Sequence, residues 1–210
     1  NNIVSNLGGA GIWGSMGENI TITNNIVTGC HDVGIDTEGT NYSTISNNVV
    51  YNCMNGGIVS FFLGRGMVVS GNTVYHDGEG QFAFKIYNTS LNTLNEDIVV
   101  TGNTFINNSP LYGHVGGETI EKIIYSDNVM VNILMRQSSN NSRFLQITGN
   151  QFILTHEMPF SALDPNSQGV YPLYTGNTNA GGEVIIEDNV ITTYVPQREG
   201  NTAIGITQVD

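Results

Sequence analysis

Basic residues are scarce in this sequence. Six Lys and Arg stand against 18 Asp and Glu, which gives a formal net charge of −12. A protein that binds a nucleic-acid backbone or an anionic membrane surface needs clusters of positive charge. We therefore expect no nucleic-acid partner, and a strongly acidic substrate is also disfavoured.

Cysteines and long apolar runs are equally few. Cys30 and Cys53 allow at most one internal disulfide. No stretch has the length and apolar character of a transmembrane helix, and no signal peptide is visible, so we expect no membrane insertion. The terminal segments look like the middle of a pattern, which indicates a fragment of a longer polypeptide.

Glycine and asparagine are abundant instead, with 26 Gly and 28 Asn, and one short phrase recurs along the chain. It reads ITITNNIV, TISNNVV, VVSGNTV, VVTGNTF, IYSDNVM, QITGNQF and IIEDNVI, with NNIV at the start. The shared asparagines are Asn2, Asn25, Asn48, Asn72, Asn103, Asn128, Asn150 and Asn189. The residue before each is Gly, Asn or Asp, the types that enter the left-handed region most readily.

The phrase therefore predicts a strand, a sharp corner and a second strand. The flanking residues alternate with a period of two and are often β-branched. A corner repeated about every 23 residues without helical periodicity indicates stacked coils, and hence a parallel β-helix of about eight coils. Asn side chains at this corner would stack about 4.8 Å apart as an internal ladder. A β-sandwich of short strands is the alternative.

We expect one β-helix domain over residues 1–210, with insertions near 88–97 and 155–182 where the spacing lengthens. Cys30 and Cys53 each follow a ladder Asn by five residues, so they should be neighbours on adjacent coils. A stack of buried free thiols is favoured over a disulfide, because free Cys behaves as a small apolar residue.

Each coil has a second strand about ten residues after its ladder Asn, and these strands align as GIWGS, GIDTE, GIVSF and AFKIY. Alternation along a strand predicts an inward stack of Ile12, Ile35, Ile58 and Phe84. It also predicts two outward columns, formed by Trp13, Asp36, Val59 and Lys85, and by Ser15, Glu38, Phe61 and Tyr87.

Asp36 and Glu38 are the candidate catalytic residues. Their positions at i and i+2 place their roots about 6.6 Å apart on one side of the strand. Glycoside hydrolysis needs two carboxyl groups at such a separation, and repulsion between them would help raise the pKa of the proton donor. The alternative is that both are solvated surface acids.

Other residues of this face could bind a sugar. Trp13, Phe61 and Tyr87 offer flat apolar surfaces on which a sugar ring can stack, although exposed aromatics also form subunit interfaces. Lys85 supplies a cation, and Asp32 and Glu79 lie in turns at the rim, where a structural role is the simpler interpretation. We find no metal motif and expect no cofactor, with calcium recruited by the acids left open.

Residues 32–74, which include GIDTEG, NNVVYNC, NGG and SFF, resemble the right-handed parallel β-helix repeats of bacteriophage tailspikes and related polysaccharide-degrading proteins. The resemblance implies a right-handed, single-stranded parallel β-helix. It also implies a homotrimer on a virion surface or outside the cell that binds and cleaves a host surface glycan. Only Asp36 and Glu38 match the acidic positions of the GIDTEG strand.

The sequence thus favours a glycan-binding, depolymerising β-helix that hydrolyses a bacterial surface polysaccharide in the manner of a tailspike. Two alternatives remain open. One is a secreted polysaccharide lyase or uronan epimerase, which needs calcium or a basic cluster near its base. The other is a non-catalytic fibre or adhesin shaft that uses the same face for binding.

Overall fold

The computed structural model of the chain describes residues 1–62, 64–77, 82–87, 96–110, 113–117, 120–139, 143–156, 172–177, 182–193 and 204–208. All regular structure within these ranges is β, and every strand pairs in parallel with its neighbours. None of the described residues belongs to a helix that could cross a membrane. The fold is therefore an all-β parallel solenoid, and the β-sandwich alternative is wrong.

Three parallel sheets form the faces of the solenoid. The first contains β1 (Ile3–Ser5), β4 (Ile26–Thr28), β7 (Val49–Tyr51), β10 (Thr73–His76), β13 (Thr104–Asn107), β16 (Val129–Val131), β19 (Gln151–Leu154) and β22 (Val190–Thr193). The second contains β2 (Ile12–Ser15), β5 (Val33–Glu38), β8 (Gly56–Phe61), β11 (Phe82–Tyr87), β14 (Gly113–Gly117), β17 (Ile133–Ser139), β20 (Leu173–Asn177) and β23 (Ile204–Gln208). The third contains β3 (Thr21–Thr23), β6 (Thr44–Ser46), β9 (Val68–Ser70), β12 (Ile98–Thr101), β15 (Lys122–Ser126), β18 (Phe144–Thr148) and β21 (Glu183–Glu187).

The corner between the third and first sheets is where the repeated phrase turns. The residue before the shared Asn has a positive φ in seven repeats, from 54° at Asn47 and Asp188 to 66° at Gly149. This confirms the predicted corner and explains its residue types, because other L-residues pay a steric cost in that region.

The shared asparagines are joined from coil to coil by hydrogen bonds. Asn48 Nδ2 donates to Asn72 Oδ1 over 3.0 Å, and the backbone N–H of Asn48 donates to the same oxygen. Asn72 Nδ2 donates in turn to Asn103 Oδ1 and to the carbonyl of Ile45. The same contacts continue through Asn128 and Asn150 to Asn189. The amides thereby satisfy backbone groups that the corner would otherwise leave unpaired inside the protein.

The core lies inside the three sheets and consists of apolar columns, one residue from each coil. Ile35 pairs in register with Ile12 on one side and Ile58 on the other, and Ile58 pairs with Phe84. Cys30 and Cys53 are buried free thiols within this core, as the sequence predicted. The predicted insertions near 88–97 and 155–182 fall largely outside the described residues.

Candidate functional site

The candidate site lies on the outer face of the second sheet, along strands β2, β5, β8 and β11. The registers follow the predicted columns. Trp13 pairs with Asp36, Asp36 with Val59, and Val59 with Lys85. Glu38 pairs with Phe61, which pairs with Tyr87. The inward stack beneath them fixes the direction of these side chains, so Asp36 and Glu38 share one face.

Asp36 is not the solvent-facing acid that strand alternation suggested. Its residue surface is only 5% exposed, and its neighbour Val59 is also buried, whereas Trp13 is 64% exposed. Glu38 is half-buried. Alternation gives the side of a sheet on which a residue lies, but neighbouring side chains decide how much water reaches it. The interpretation of Asp36 as an ordinary solvated acid is therefore wrong.

The electrostatic environment of Asp36 favours its protonated form. Burial is the largest cause of the rise in the pKa of this carboxyl, and together with the negative charges of Glu38 and Asp32 it brings the pKa to about 7. Its Oδ1 atom is buried and has no hydrogen-bond partner among the described residues. Without a donor to stabilise the anion, the carboxyl keeps its proton at a pH where a surface Asp is ionised.

A cleft of about 440 Å³ opens on this face next to Asp36. That volume is within the range of small-molecule sites and is large enough for sugar rings. Its walls come from three successive coils, and the lining residues are Asp32, Met54, Asn55, Val59, Phe61, Phe82 and Lys85. Asp36 and Glu38 are not in the wall. They lie beside it, as the register neighbours of Val59 and Phe61.

Aromatic rings and one cation form the far side of the cleft. The Lys85 Nζ atom lies 4.2 Å from the centroid of the Phe82 ring and 4.7 Å from that of Tyr87. Phe61 and Tyr87 meet edge to face with centroids 6.1 Å apart. These contacts hold the rings in fixed orientations, as a platform for a ligand requires.

The rim is only partly described. Asp32 lies in the cleft wall, where its Oδ1 accepts a hydrogen bond from Asn55 Nδ2 over 2.9 Å. Glu79, the other predicted rim acid, falls outside the described residues. Of the predicted site residues, the structure thus brings together Asp32, Phe61 and Lys85 in one cleft. Tyr87 contacts Phe61 and Lys85, and Trp13, Asp36 and Glu38 lie on neighbouring strands beside the cleft.

The sequence matches the family model for the right-handed β-helix region over residues 1–153. The chain belongs to the right-handed β-helix family. No curated protein has a matching sequence.

Two solved structures are similar to this one in fold. An alginate lyase from Paenibacillus sp. str. FPU-7 superposes with a TM-score of 0.52 at 14% identity, over 93% of this chain and 80% of the lyase. The Streptococcus pneumoniae surface protein and adhesin PfbA superposes with a TM-score of 0.50 at 14% identity, over 90% of this chain and 49% of the adhesin. At this identity the likeness concerns the fold alone.

Sequence reasoning missed three residues of the β-helix cleft, namely Met54, Asn55 and Phe82. Met54 and Asn55 lie in the turn before β8, and an irregular register between Phe82 and Phe84 changes the alternation at the start of β11. The NGG phrase marked the turn, but no periodicity could show that it closes one end of a cleft.

The described residues of the β-helix contain no group of three or more His, Cys, Asp and Glu side chains that could hold a metal ion. Asp32, Asp36 and Glu38 are close enough to interact electrostatically.

Proposed function

We propose that this β-helix binds an extracellular polysaccharide and hydrolyses it, with Asp36 as the proton donor and Glu38 as the base or nucleophile. The observation that carries this proposal is the environment of Asp36, a buried carboxyl with a raised pKa beside a second carboxyl. Glycosidases need such a pair with unequal environments, one acid protonated and the other ionised.

In the proposed reaction, Asp36 gives its proton to the glycosidic oxygen as the bond to the anomeric carbon breaks. Glu38 either attacks that carbon or removes a proton from the water that attacks it. The roots of the two side chains are about 6.6 Å apart along the strand. Their carboxyl groups can reach the separations used by retaining or inverting enzymes, depending on rotamer.

The platform supports a glycan over other substrates. Trp13 lies on one side of Asp36, and the cleft with Phe61 and Lys85 lies on the other. A chain of sugar rings that crosses Asp36 would contact aromatic or apolar surface on both sides. The proposed partner is therefore a surface polysaccharide, and the proposed location is outside the cell or on a virion.

A lyase or uronan epimerase is less well supported. Such an enzyme neutralises the uronate carboxylate with a cation beside its base, and Lys85 is two strands away from Asp36. The described residues offer no metal cluster to replace it. A protonated carboxyl is also unsuited to act as the base.

A non-catalytic adhesin is the second candidate. One structural neighbour is a surface protein and adhesin, and the aromatic platform would bind a glycan without cleaving it. In that case Asp36 would hydrogen-bond a sugar hydroxyl instead of transferring its proton.

The deciding experiment measures reducing ends released from capsular and O-antigen polysaccharides. We expect Asp36→Asn and Glu38→Gln each to fold normally and to lower the rate by at least about 100-fold. Asp97→Asn is the matched control, because Asp97 is an acid that pairs with Lys122 directly before β12 of the third sheet and does not line the cleft. Full activity in both mutants would refute the proposed roles, and binding without cleavage by the wild type would establish the adhesin.

We also propose a homotrimer, as the tailspike resemblance implies. Support comes from the outer face of the first sheet, where none of the outward residues in the described strands is charged although the chain carries a net charge of −12. Exposed apolar side chains on this face are Ile3, Ile26, Val49, Tyr51 and Val190. Such a face is suited to contact with another copy, since charge repulsion would be smallest there.

A further inference from the structure

Lys85 is a cation without a counterion among the residues that the structure describes. Its side chain is half-buried, and the structure shows no carboxylate within ion-pair distance of it among the described residues. By contrast, Arg65, Lys122 and Arg143 each form an ion pair with an acid, as Lys122 does with Asp97 at 3.1 Å. A partly desolvated ammonium normally acquires such a partner.

Phe82 and Tyr87 hold this ammonium in place. Both rings present their faces to Nζ at cation–π distances. These contacts replace part of the lost hydration, but an aromatic ring offers no oxygen acceptor to the N–H donors of the ammonium. Lys85 also lines the cleft. A fixed, unpaired cation at the wall of an open cleft is the arrangement expected of a subsite for an anion.

The distance from Lys85 to the carboxyl pair defines where that anion sits. Asp36, Val59 and Lys85 are successive members of one column, so Lys85 lies about 10 Å from Asp36 at a strand spacing of about 4.8 Å. An extended glycan advances by roughly one strand spacing per pyranose. A chain parallel to the solenoid axis would therefore place the second sugar from the cleaved linkage at Lys85.

The acids of the same face limit how many negative charges the rest of the glycan can carry. Asp32 lies in the cleft wall, and Glu38 lies beside Asp36. A polymer with a carboxylate on every sugar would bring negative charge against these acids, whereas a neutral polymer would leave Lys85 unpaired. Only a glycan with few charges would both offer an anion to Lys85 and avoid repulsion by Asp32 and Glu38.

We propose that the site selects a polysaccharide with one anionic group per short repeat, and that Lys85 binds this group about two sugars from the cleaved linkage. The group can be a uronate carboxylate, a pyruvate ketal or a sulfate, since all present oxygen acceptors to the ammonium. This inference rests on the proposed glycan hydrolysis and adds the charge pattern of the substrate.

The test compares wild type with Lys85→Met on an array of bacterial polysaccharides of known repeat, measuring retention and reducing ends. Met keeps the apolar stem against the rings and removes the charge. Lys122→Met is the matched control, because it removes a charge of the same type on the third sheet. We expect bound glycans to carry one anion per repeat, and Lys85→Met to weaken their retention by about 10- to 100-fold.

A second arm uses each bound carboxylated glycan after chemical reduction of its carboxyl groups to alcohols. Wild type should bind the reduced polymer as weakly as Lys85→Met binds the native one, and Lys85→Arg should keep the preference for the native polymer. Sulfated and pyruvylated members of the array distinguish the source of the charge.

Three results would overturn the inference: retention of neutral glycans only, equal retention of native and reduced polymers, or unchanged binding by Lys85→Met. None of these results would contradict the proposed hydrolysis, which is tested separately by the activity of Asp36→Asn. Loss of cleavage in Asp36→Asn with unchanged charge preference in Lys85→Met would leave the catalytic proposal standing and reject this one. Retention of no glycan on the array would reject both.

Discussion

At the residue scale, Asp36 combines closeness to Glu38, which the sequence predicts, with burial, which it does not. Its spacing from Glu38 follows from strand alternation, and the structure keeps both on one face. Its burial depends on residues from other coils, because Trp13 and Val59 come from strands 23 residues earlier and later. Burial is the first cause of the raised pKa, so the property that makes Asp36 a candidate acid is tertiary.

The raised pKa of Asp36 makes stability depend on pH. Between the ordinary pKa of 3.8 and the folded value of about 7, the folded protein holds a proton that the unfolded chain releases. The contribution of Asp36 is therefore greatest below pH 4 and is lost as pH rises through 7. Relative to Asp36→Asn, wild type should lose roughly 2 to 4 kcal/mol of unfolding free energy from pH 4 to pH 8, measured by urea denaturation.

The control for this measurement is Asp97→Asn, which removes an exposed acid paired with Lys122. The pH dependence of its stability should match that of the wild type. Parallel stability curves for wild type and Asp36→Asn would show that Asp36 titrates normally, and would remove the main support for its catalytic role.

At the element scale, the asparagine corner shows why the sequence repeat predicts the structure of each coil. A strand followed by a left-handed residue and a buried Asn is a local requirement repeated in every coil, and each copy carries the same signature. Asn25 and Asn48 occupy the same position in successive repeats, 23 residues apart, and their side chains are joined by a hydrogen bond. Local pattern and tertiary contact coincide because neighbours in space are also neighbours in the repeat.

Removal of one buried ladder amide should destabilise the fold. Asn72→Ala deletes the acceptor for two donors of Asn48 and a donor to the carbonyl of Ile45. Because these groups are buried, we expect a loss of roughly 2 to 5 kcal/mol of unfolding free energy, measured by urea denaturation. Asn2→Ala is the matched control at the exposed end and should cost less than about 1 kcal/mol. Equal costs would contradict a ladder that stabilises by internal satisfaction.

At the scale of the whole molecule, charge is distributed unevenly over the faces. Among the described strand residues, the first sheet presents no charged side chain outward, whereas the second carries Asp36, Glu38 and Lys85. The third sheet carries Lys122, Glu183 and Glu187 as exposed charged residues. One face could therefore meet another copy while a different face binds a glycan. This separation would let an assembly keep its sites open.

The proposed trimer can be tested by sedimentation. Val49→Glu places a charge on the outer face of the first sheet, where Val49 is 42% exposed, and should convert trimer to monomer without loss of β structure. Val68→Glu is the matched control, because Val68 is 36% exposed on the third sheet, and it should remain trimeric. A monomeric wild type would refute the proposal.

The sequence by itself determined the solenoid, the corner and the alignment of β2, β5, β8 and β11, because each depends on a short pattern that recurs at a nearly constant spacing. It also placed Asp36 and Glu38 on one side of a strand. The tertiary structure alone decided that Asp36 is shielded from water, that Met54, Asn55 and Phe82 close a cleft, and that two rings hold Lys85. These properties depend on side chains from different coils meeting at particular depths, and no spacing along the chain encodes how deeply water can enter between them.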